Sequence, residues 1–357
     1  MIRQICINAR FLTQKMTGVQ RFASEISKEL RKLYSKEELI FVCPYNIIHG
    51  ELAKDLGARI IGMHTGHLWE QIDLPLYLKK SGKPLLLNFC STAPILYFNK
   101  ISTLHDITFI RFPKTFSWKF RLFYRIMTPL ICESSKHILT VSEFSKGELS
   151  KYYRLPLNNI SVIYNAVSSL FTSKNKSNVT DRYILAVSSL KENKNFITII
   201  ETFLMLQKDI PEIKLYLIGD LHSNNFNSMS GLLNTIRENK KILCIGRVDD
   251  KSLIEYYNNA IAFVFPSLYE GFGIPPLEAQ ACGCPVVSSI SSSLPEILKD
   301  SALFNEPKDT NGFVNSLKEI ICDNRLRECL IEKGHMNVKR FSWKKSAEKI
   351  VEIIDGL

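Results

Sequence analysis

The sequence predicts an α/β protein with two domains, each built around a parallel β-sheet. Three observations lead to this prediction. The chain has 357 residues, which exceeds one ordinary domain and suits two. Short apolar, β-branched runs alternate with amphipathic helical stretches along most of its length. One polar stretch, residues 166–181, interrupts that alternation near the middle of the chain.

The first half of the chain has the pattern of a parallel sheet covered on both faces. Its predicted strands are residues 5–9, 39–43, 59–63, 85–89, 101–104, 137–141 and 161–164. Predicted helices between them include residues 19–33 and 117–133. Apolar strands separated by helices are typical of sheets that are buried on both sides. We therefore expect residues 1–165 to form the first domain.

The second half repeats this pattern after a linker. Residues 166–181 are rich in Ser, Asn and Lys, a composition typical of linkers. Predicted strands follow at residues 183–187, 214–218, 242–245, 260–265 and 286–288, with helices that include 195–206 and 251–258. These elements define a second domain over residues 182–341. An amphipathic helix begins at Ser342, and it can either cap the second domain or return to the first.

Composition narrows the class of protein and its compartment. A net charge of +11 suits an anionic partner such as nucleic acid, anionic lipid or a phosphorylated substrate, but also simple solubility. The nine cysteines include no CxxC pair, and Cys6, Cys43, Cys90 and Cys244 stand in apolar runs, where thiols are usually buried. We therefore expect no structural metal and a reducing compartment. No segment resembles a secretory signal or a membrane span, which predicts a cytoplasmic protein.

The clearest functional motif is the segment FPSLYEGFGIPPLE, residues 265–278. An apolar strand leads into a loop with Gly271 and Gly273, and prolines open the next helix, where a missing N–H costs nothing. Such glycines let the backbone approach a ligand, and the start of a helix is a favourable place for phosphate. Two carboxylates, Glu270 and Glu278, flank the loop. The motif therefore predicts a phosphate-containing ligand beyond the carboxyl end of a strand.

The segment EGFGIPPLE resembles the E-x7-E motif of glycosyltransferase family 4, and the downstream AQACGCPVVSSISSSLPEI is similar to the same family. The resemblance covers most of the chain and is strongest over residues 246–296. It implies a GT-B fold, in which two Rossmann-like domains face each other across a cleft, with the donor held mainly by the second domain. It also implies retention of configuration and a final helix, residues 342–357, that packs back onto the first domain.

The resemblance assigns donor-binding roles to residues of the second domain. It implies that Glu278 holds the ribose hydroxyls and that Glu270 lies close to the donor sugar and its reacting carbon. The backbone of Phe272 and Gly273 would line the sugar and the phosphates. Lys194, in the segment SSLKENKN, would offer its charge to the diphosphate leaving group.

Further positions are carried over from the same resemblance. Ser189 stands where many members carry Arg, and Asn193 stands where a basic residue is common in the bacterial mannosyltransferase-like subgroup. Both departures reduce the charge available to the diphosphate. Val248, in GRVDD, would contact the base through its backbone, and Gly18, in TGVQR, matches the glycine loop that meets the diphosphate.

In the first domain, His105 in the segment LHD matches the family's HD pair. A histidine at the end of a strand can donate a hydrogen bond to a sugar hydroxyl, although a lone histidine is more often structural. The resemblance places His105 with Glu270 as the groups that shape the reacting sugar. Asn88, His64 and His67 could also line the acceptor side.

The sequence predicts neither a metal nor a cofactor. No DxD motif stands where a metal would bridge a diphosphate, and Lys194 with helix N-termini can stabilise that leaving group alone. Paired carboxylates also occur in glycosidases, but the phosphate-binding loop argues against hydrolysis. Phosphorylases of this fold are longer and need a pyridoxal-binding lysine, and non-hydrolysing epimerases lack the E-x7-E context. Nucleic-acid binding has only the net charge to support it.

Residues 111–125, RFPKTFSWKFRLFYR, combine five basic residues with six aromatic ones and no acid. This composition is typical of an amphipathic surface for anionic lipid headgroups. It is equally compatible with a core helix that has a solvated basic face. A peripheral contact with the inner face of the membrane would suit an acceptor carried on a polyprenyl diphosphate lipid.

Together these observations and the resemblance predict a metal-independent glycosyltransferase, and the resemblance implies that it retains configuration. With the resemblance, we expect transfer of a hexose from a nucleotide diphosphate sugar, GDP-mannose first, to a glycan or lipid-linked glycan. The expected setting is synthesis of bacterial O-antigen or capsule. The alternative is a GT-B scaffold or nucleotide-sugar-binding protein with weak catalysis.

Overall fold

The structure is a computed structural model that describes residues 4–173, 181–188, 191–219 and 230–357. It divides the chain into two compact units. The first comprises Met1–Asn165 together with Ser342–Leu357, and the second comprises Ala166–Phe341. Each unit contains its own parallel sheet, which confirms the predicted α/β class.

In the first unit, the described residues form a seven-stranded sheet of order β3-β2-β1-β4-β5-β6-β7. The strands are β1 (Ile5–Asn8), β2 (Leu39–Cys43), β3 (Arg59–Ile60), β4 (Leu85–Asn88), β5 (Lys100–Thr103), β6 (His137–Thr140) and β7 (Ile160–Val162). The helices are α1 (Gly18–Leu33), α2 (Gly50–Leu56), α3 (Gly66–Leu68), α4 (Leu74–Lys80), α5 (Thr108–Arg111), α6 (Trp118–Ser134) and α7 (Glu143–Tyr153). A π-helical turn, Trp69–Asp73, joins α3 to α4, so residues 66–80 form one helix.

All residues of the central strands β1, β2 and β4 are buried, as expected where helices cover both faces of a sheet. Ile5 pairs with Leu39 on one side and with Leu85 on the other. The helix of residues 66–80 packs Trp69 and two leucines against Cys6 and neighbouring strand residues. The core of the first unit therefore lies between this sheet and its helices.

Helix α15 (Trp343–Asp355) also belongs to the first unit. It begins after Ser342, whose hydroxyl accepts a backbone N–H of the first turn. The indole ring of Trp343 lies 6.0 Å from the ring of Phe22 in α1. Ser346 Oγ donates to the carbonyl of Tyr164 at 2.7 Å. Of the two positions that the sequence allows for this helix, the structure shows the return to the first unit.

In the second unit, the described residues form a six-stranded parallel sheet of order β10-β9-β8-β11-β12-β13. The strands are β8 (Tyr183–Val187), β9 (Lys214–Ile218), β10 (Ile242–Gly246), β11 (Ala262–Phe265), β12 (Val286–Ser289) and β13 (Leu303–Asn305). The helices are α8 (Phe196–Asp209), α9 (Ser230–Glu238), α10 (Asp250–Asn259), α11 (Ile274–Ala281), α12 (Leu294–Leu298), α13 (Thr310–Cys322) and α14 (Asn324–Val338). One apolar cluster joins β8, β9 and β11 to α8 and α13.

The structure differs from the predicted elements where segments are short or exposed. The predicted strand 59–63 is reduced to β3, whose two residues are exposed at the edge of the sheet. Strand β13 is absent from the prediction because three half-buried residues give no apolar run. Cys244, which we expected to be buried, is exposed, because β10 is an edge strand whose register shifts between Cys244 and Gly246.

Part of the predicted linker, residues 166–181, packs against the second unit. Phe171 is buried, and its ring lies 6.4 Å from the ring of Tyr257. The Asn258 side-chain amide donates to the carbonyl of Thr172. Residues 166–173 therefore contribute to the core of that unit, and residues 174–180 lie outside the described residues.

Lys100, the first residue of β5, is fully buried. Its Nζ donates to the carbonyls of Tyr97 at 2.7 Å and Ser134 at 2.9 Å, and to the Ser134 hydroxyl. Burial lowers the pKa of this ammonium to about 7. Because an unfolded lysine keeps its ordinary pKa, the unfolded chain binds more protons above pH 7, and unfolding becomes less favourable as the pH rises.

We therefore expect the free energy of unfolding of the wild type, minus that of Lys100→Met, to increase between about pH 7 and 10.5. Below pH 7 the difference should be constant, because lysine is protonated in both states. Urea titrations followed by tryptophan fluorescence at several pH values would measure this difference. Parallel pH profiles for the two proteins would contradict the prediction.

Candidate active site

The centre of the second sheet is a point where the strand order reverses. The chain passes from β8 outward to β9 and β10, and then returns to β11 before continuing to β12 and β13. Loops that follow the two central strands meet at such a point, which is the usual ligand crevice of an open parallel sheet. In the described chain these loops comprise residue 188 with residues 191–195, and residues 266–273, and they contain the predicted site residues Lys194, Glu270, Phe272 and Gly273.

Two asparagines tie these loops together. Asn193 Nδ2 donates to the carbonyl of Tyr269 at 3.1 Å, and Asn195 Nδ2 donates to the carbonyl of Pro266 at 2.9 Å. From the sequence, Asn193 was notable only because a basic residue is common there. The structure gives it a different use, because its amide fixes the backbone of the neighbouring loop.

Two serines that follow β12 bind the backbone of the loop of residues 266–273. Ser292 Oγ accepts a hydrogen bond from the backbone N–H of Glu270 at 2.9 Å. Ser293 Oγ lies 3.0 Å from the carbonyl oxygens of both Glu270 and Phe272. The loop backbone is therefore bound on two sides, which fixes the position from which the Glu270 side chain extends.

Lys194 and Glu270, which were predicted separately, form an ion pair. Lys194 Nζ lies 2.6 Å from Glu270 Oε1, and the two side chains are 22% and 11% exposed. The same Nζ lies 5.7 Å from the centre of the Phe265 ring. An ammonium has three N–H donors, so Lys194 can hold Glu270 and still bind an anionic group. The pair places a cation and a carboxylate together at the switch point.

Gly273 has a left-handed backbone conformation, which glycine adopts more readily than other residues. Its φ is +95°, and a Cβ at this position would lie 2.6 Å from Leu294 Cδ2. Helix α11 starts at the next residue, and Pro275 and Pro276 remove two of its first backbone donors. The anion-binding capacity of this helix start is therefore smaller than an ordinary N-terminus would provide. The Phe272 side chain is buried against Phe341, with centroids 5.5 Å apart, so Phe272 can offer a ligand mainly its backbone.

Glu278 lies within α11 and is 8% exposed. Its carboxylate is close to the Tyr257 hydroxyl: burial first, and then the charge of Glu278, raises the pKa of Tyr257 well above its usual value. The tyrosine therefore stays protonated and can donate to the carboxylate. Val248 is half-buried in the loop after β10, while Ser189 lies outside the described residues.

In the first unit, His105 is buried and is the second residue after β5. Its Nε2 lies 2.9 Å from the carbonyl oxygen of Phe89, and its ring packs edge-on against Phe22, with centroids 5.0 Å apart. Burial lowers the pKa of the imidazole, so the ring is neutral at pH 7. Because a carbonyl can only accept, Nε2 carries the proton and Nδ1 is an acceptor. The Nε2–H of His105 is therefore already engaged by Phe89.

A buried polar network at the ends of β1 and β4 is absent from the sequence prediction. Arg10 and Glu70 are 5% and 1% exposed, and Arg10 Nε lies 3.3 Å from Glu70 Oε1. The same oxygen accepts hydrogen bonds from Asn8 at 2.8 Å and Thr92 at 3.0 Å. Asn88, predicted to line the acceptor side, accepts a bond from Asn8 at 3.0 Å. A polar Asn and Arg at the end of an apolar strand were the available signal for this network.

The remaining candidates of the first unit lie at its surface or beside that network. Gly18 is exposed and is the first residue of α1. His64 Nδ1 lies 2.9 Å from Asp73 Oδ1, and His67 Nδ1 lies 3.6 Å from a Glu70 oxygen. In the described parts of the chain, no group of three or more His, Cys, Asp or Glu side chains is arranged to hold a metal ion.

Two family models match consecutive parts of the chain. The model "Glycosyltransferase Family 4" matches residues 16–169, and "Glycosyl transferases group 1" matches residues 169–336. Among curated proteins, the O-antigen chain mannosyltransferase RfbU of Salmonella typhimurium is 31% identical over 334 residues, which is 88% of this chain and 90% of that protein. O-antigen chain mannosyltransferase B of Escherichia coli is 29% identical over 68% of this chain and 66% of that protein.

Solved structures share the fold. The structure of Anabaena Alr3699/HepE in complex with UDP and glucose covers the whole of both chains, with a TM-score of 0.77 and 16% identity. WaaG, a glycosyltransferase involved in lipopolysaccharide biosynthesis, has a TM-score of 0.69 over 99% of this chain and 100% of that chain. With the fold, the two family models and the match to RfbU in agreement, this chain belongs to glycosyltransferase family 4.

Proposed function

We propose that this glycosyltransferase moves a hexose from a nucleotide diphosphate sugar, GDP-mannose first, to a glycan or lipid-linked glycan, with retention of configuration and without a metal. The acceptor would belong to bacterial O-antigen or capsule. The observation that carries the proposal is the Lys194–Glu270 ion pair at the switch point of the second sheet. The similarity to O-antigen mannosyltransferases along most of the chain supports mannose as the sugar.

Each candidate residue would contribute a distinct interaction to this reaction. When the sugar–phosphate bond breaks, negative charge develops on the departing diphosphate, and the ammonium of Lys194 would stabilise it. Glu270 would accept a hydrogen bond from a hydroxyl of the donor sugar while remaining bound to that ammonium. Glu278 would accept hydrogen bonds from both ribose hydroxyls, because a carboxylate has several acceptor sites. The Nδ1 atom of His105 would accept a hydrogen bond from a hydroxyl of the reacting sugar.

Nucleotide binding tests the proposal directly. We expect the melting temperature to rise with GDP and GDP-mannose in the presence of EDTA, because a ligand of the folded state stabilises it. The rise should exceed that produced by UDP and UDP-sugars, and it should be lost in Glu278→Ala. Glu319→Ala is the matched control, since it removes an exposed carboxylate from α13 of the same unit.

The outcomes separate the proposal from its alternative. Binding followed by transfer to a glycan acceptor would support a glycosyltransferase. Retention of the donor's anomeric configuration in the new linkage, determined by NMR, would support the proposed stereochemistry. Binding without turnover would favour the scaffold or nucleotide-sugar-binding protein. Absence of any nucleotide shift would contradict the assigned donor site.

A further inference from the structure

Exposed apolar side chains are concentrated in one part of the first unit. In the described chain, half of the large hydrophobic side chains that are exposed lie between residues 60 and 130. Seven of them form two rows with a spacing of four residues, and each is 38% to 62% exposed: Leu68, Ile72 and Leu76 on the helix of residues 66–80, and Trp118, Leu122, Ile126 and Leu130 on α6. Contiguous exposed apolar surfaces often mark an interaction site.

The two rows lie on the same side of the first sheet. Residues 66–80 connect β3 to β4, and α6 connects β5 to β6, so both connections run in the same direction across the sheet. Right-handed crossovers in one direction place their helices on one face. The rings of His67 and Phe123, 4.3 Å apart, bring the two helices into contact. Because each helix turns its other side toward the core, the rows face outward together.

Cationic side chains border the row on α6. Lys119 and Arg125 are exposed on this helix. Arg125 also lines a groove of about 700 Å³ between α6 and α7, together with Tyr152 and Arg154. Residues 112–132 contain no acidic side chain. One guanidinium group can donate hydrogen bonds to two oxygens of the same phosphate. The cationic residues that border this row therefore suit an anionic phosphate.

The acidic residues near the other row are already engaged. On the helix of residues 66–80, Glu70 is buried with Arg10. Asp73 accepts hydrogen bonds from the backbone and the ring of His64. The charge of Glu70 is therefore balanced by Arg10, and the Asp73 side chain is only 10% exposed.

The structure also shows which parts of residues 111–125 can meet a partner. The rings of Phe116, Phe120 and Tyr124 stack on one another, with successive centroids 4.8 and 4.3 Å apart. Arg111 binds both carboxylate oxygens of Glu148. The three stacked aromatics and this arginine therefore already have partners within the first unit.

We infer that the two apolar rows and the basic groove form a docking surface for an anionic lipid bilayer. The rows would enter the headgroup region as amphipathic helices do, and Arg125 and Arg154 would bind lipid phosphates. A second copy of the chain is a poorer occupant, because it would bring the same net charge of +11 to this surface. The inference does not depend on which sugar is transferred, and it would bring the protein to the surface where a lipid-linked acceptor lies.

Vesicle flotation tests the docking surface. We expect the wild type to bind vesicles of equal parts phosphatidylcholine and phosphatidylglycerol, to bind phosphatidylcholine alone weakly, and to dissociate as salt is raised. The double variant Leu122→Glu/Ile126→Glu should lose binding. Arg125→Gln/Arg154→Asn should weaken it about thirtyfold, since each arginine near such a surface contributes about fivefold. Asparagine suits the left-handed conformation of residue 154, whose φ is 56°.

Met336→Glu is the control, because Met336 is 62% exposed but lies in α14 of the second unit. Each variant is first checked for its circular dichroism spectrum and its GDP-dependent thermal shift, so that loss of folding or of the donor site is recognised separately. Absence of wild-type binding to anionic vesicles would overturn the inference, and so would unchanged binding by both double variants. A dimer detected by ultracentrifugation and dissociated by Leu122→Glu would assign the surface to a second copy and would also overturn it.

Discussion

Replacing Lys194 by methionine is expected to lower kcat/KM for sugar transfer by about 100- to 1000-fold, the usual effect of removing one group that stabilises charge in a transition state. Methionine keeps much of the aliphatic volume beside Phe265 but removes the ammonium 2.6 Å from Glu270. The loss should appear mainly in kcat, because the charge on the diphosphate grows as the sugar departs. Steady-state kinetics with GDP-mannose and a glycan acceptor would measure it.

Two further variants isolate the role of the ammonium. Lys194→Arg keeps the charge and should retain more activity than Lys194→Met. Glu270→Gln removes the partner charge but leaves Lys194 in place, and a double-mutant cycle would give the coupling between the two side chains. A Lys194→Met enzyme with unchanged kcat but lowered stability would show that the ion pair serves only to join the two loops.

Glu70→Leu is expected to destabilise the first unit by roughly 3–5 kcal/mol, because it leaves the buried guanidinium of Arg10 without its counter-charge. Asn8 and Thr92 would lose the acceptor that they share. The chain has three tryptophans, at positions 69, 118 and 343, and all of them lie in the first unit. Urea unfolding followed by tryptophan fluorescence therefore reports on this unit alone.

The double variant Arg10→Met/Glu70→Leu provides the comparison. Replacing both charges by apolar groups removes the cost of an unpaired buried ion, so most of the lost stability should return. Equal destabilisation by the single and double variants would show that packing around Glu70, rather than charge, determines the effect.

The sequence predicts the central strands well and the edges of the sheets poorly. Strands such as β1 and β8 are buried along almost their whole length, so their apolar runs are unmistakable. Edge strands lack that pattern: β3 is exposed and β13 is half-buried. Short helices such as α2, with seven residues, span too few turns to show a clear helical period.

The candidate site shows a similar limit. The residue types at positions 194 and 270 could be interpreted from the motifs, but their contact joins residues 76 positions apart. The role of Asn193 depends on the path of a neighbouring loop, and that path is set by tertiary packing. Arg10 and Glu70 compensate each other only once β1 and the helix of residues 66–80 are packed. A sequence pattern describes residues on one element, and these interactions link different elements.

The position of α15 has a consequence for the order in which a ribosome can deliver the two units. Residues 166–341, which form the second unit, emerge before Trp343–Asp355. The second unit can therefore fold as it is made, while the first, although it starts earlier, still lacks the helix that packs against Phe22 of α1. Until translation passes α15, the nascent chain exposes that apolar surface and is open to chaperones or to misassembly.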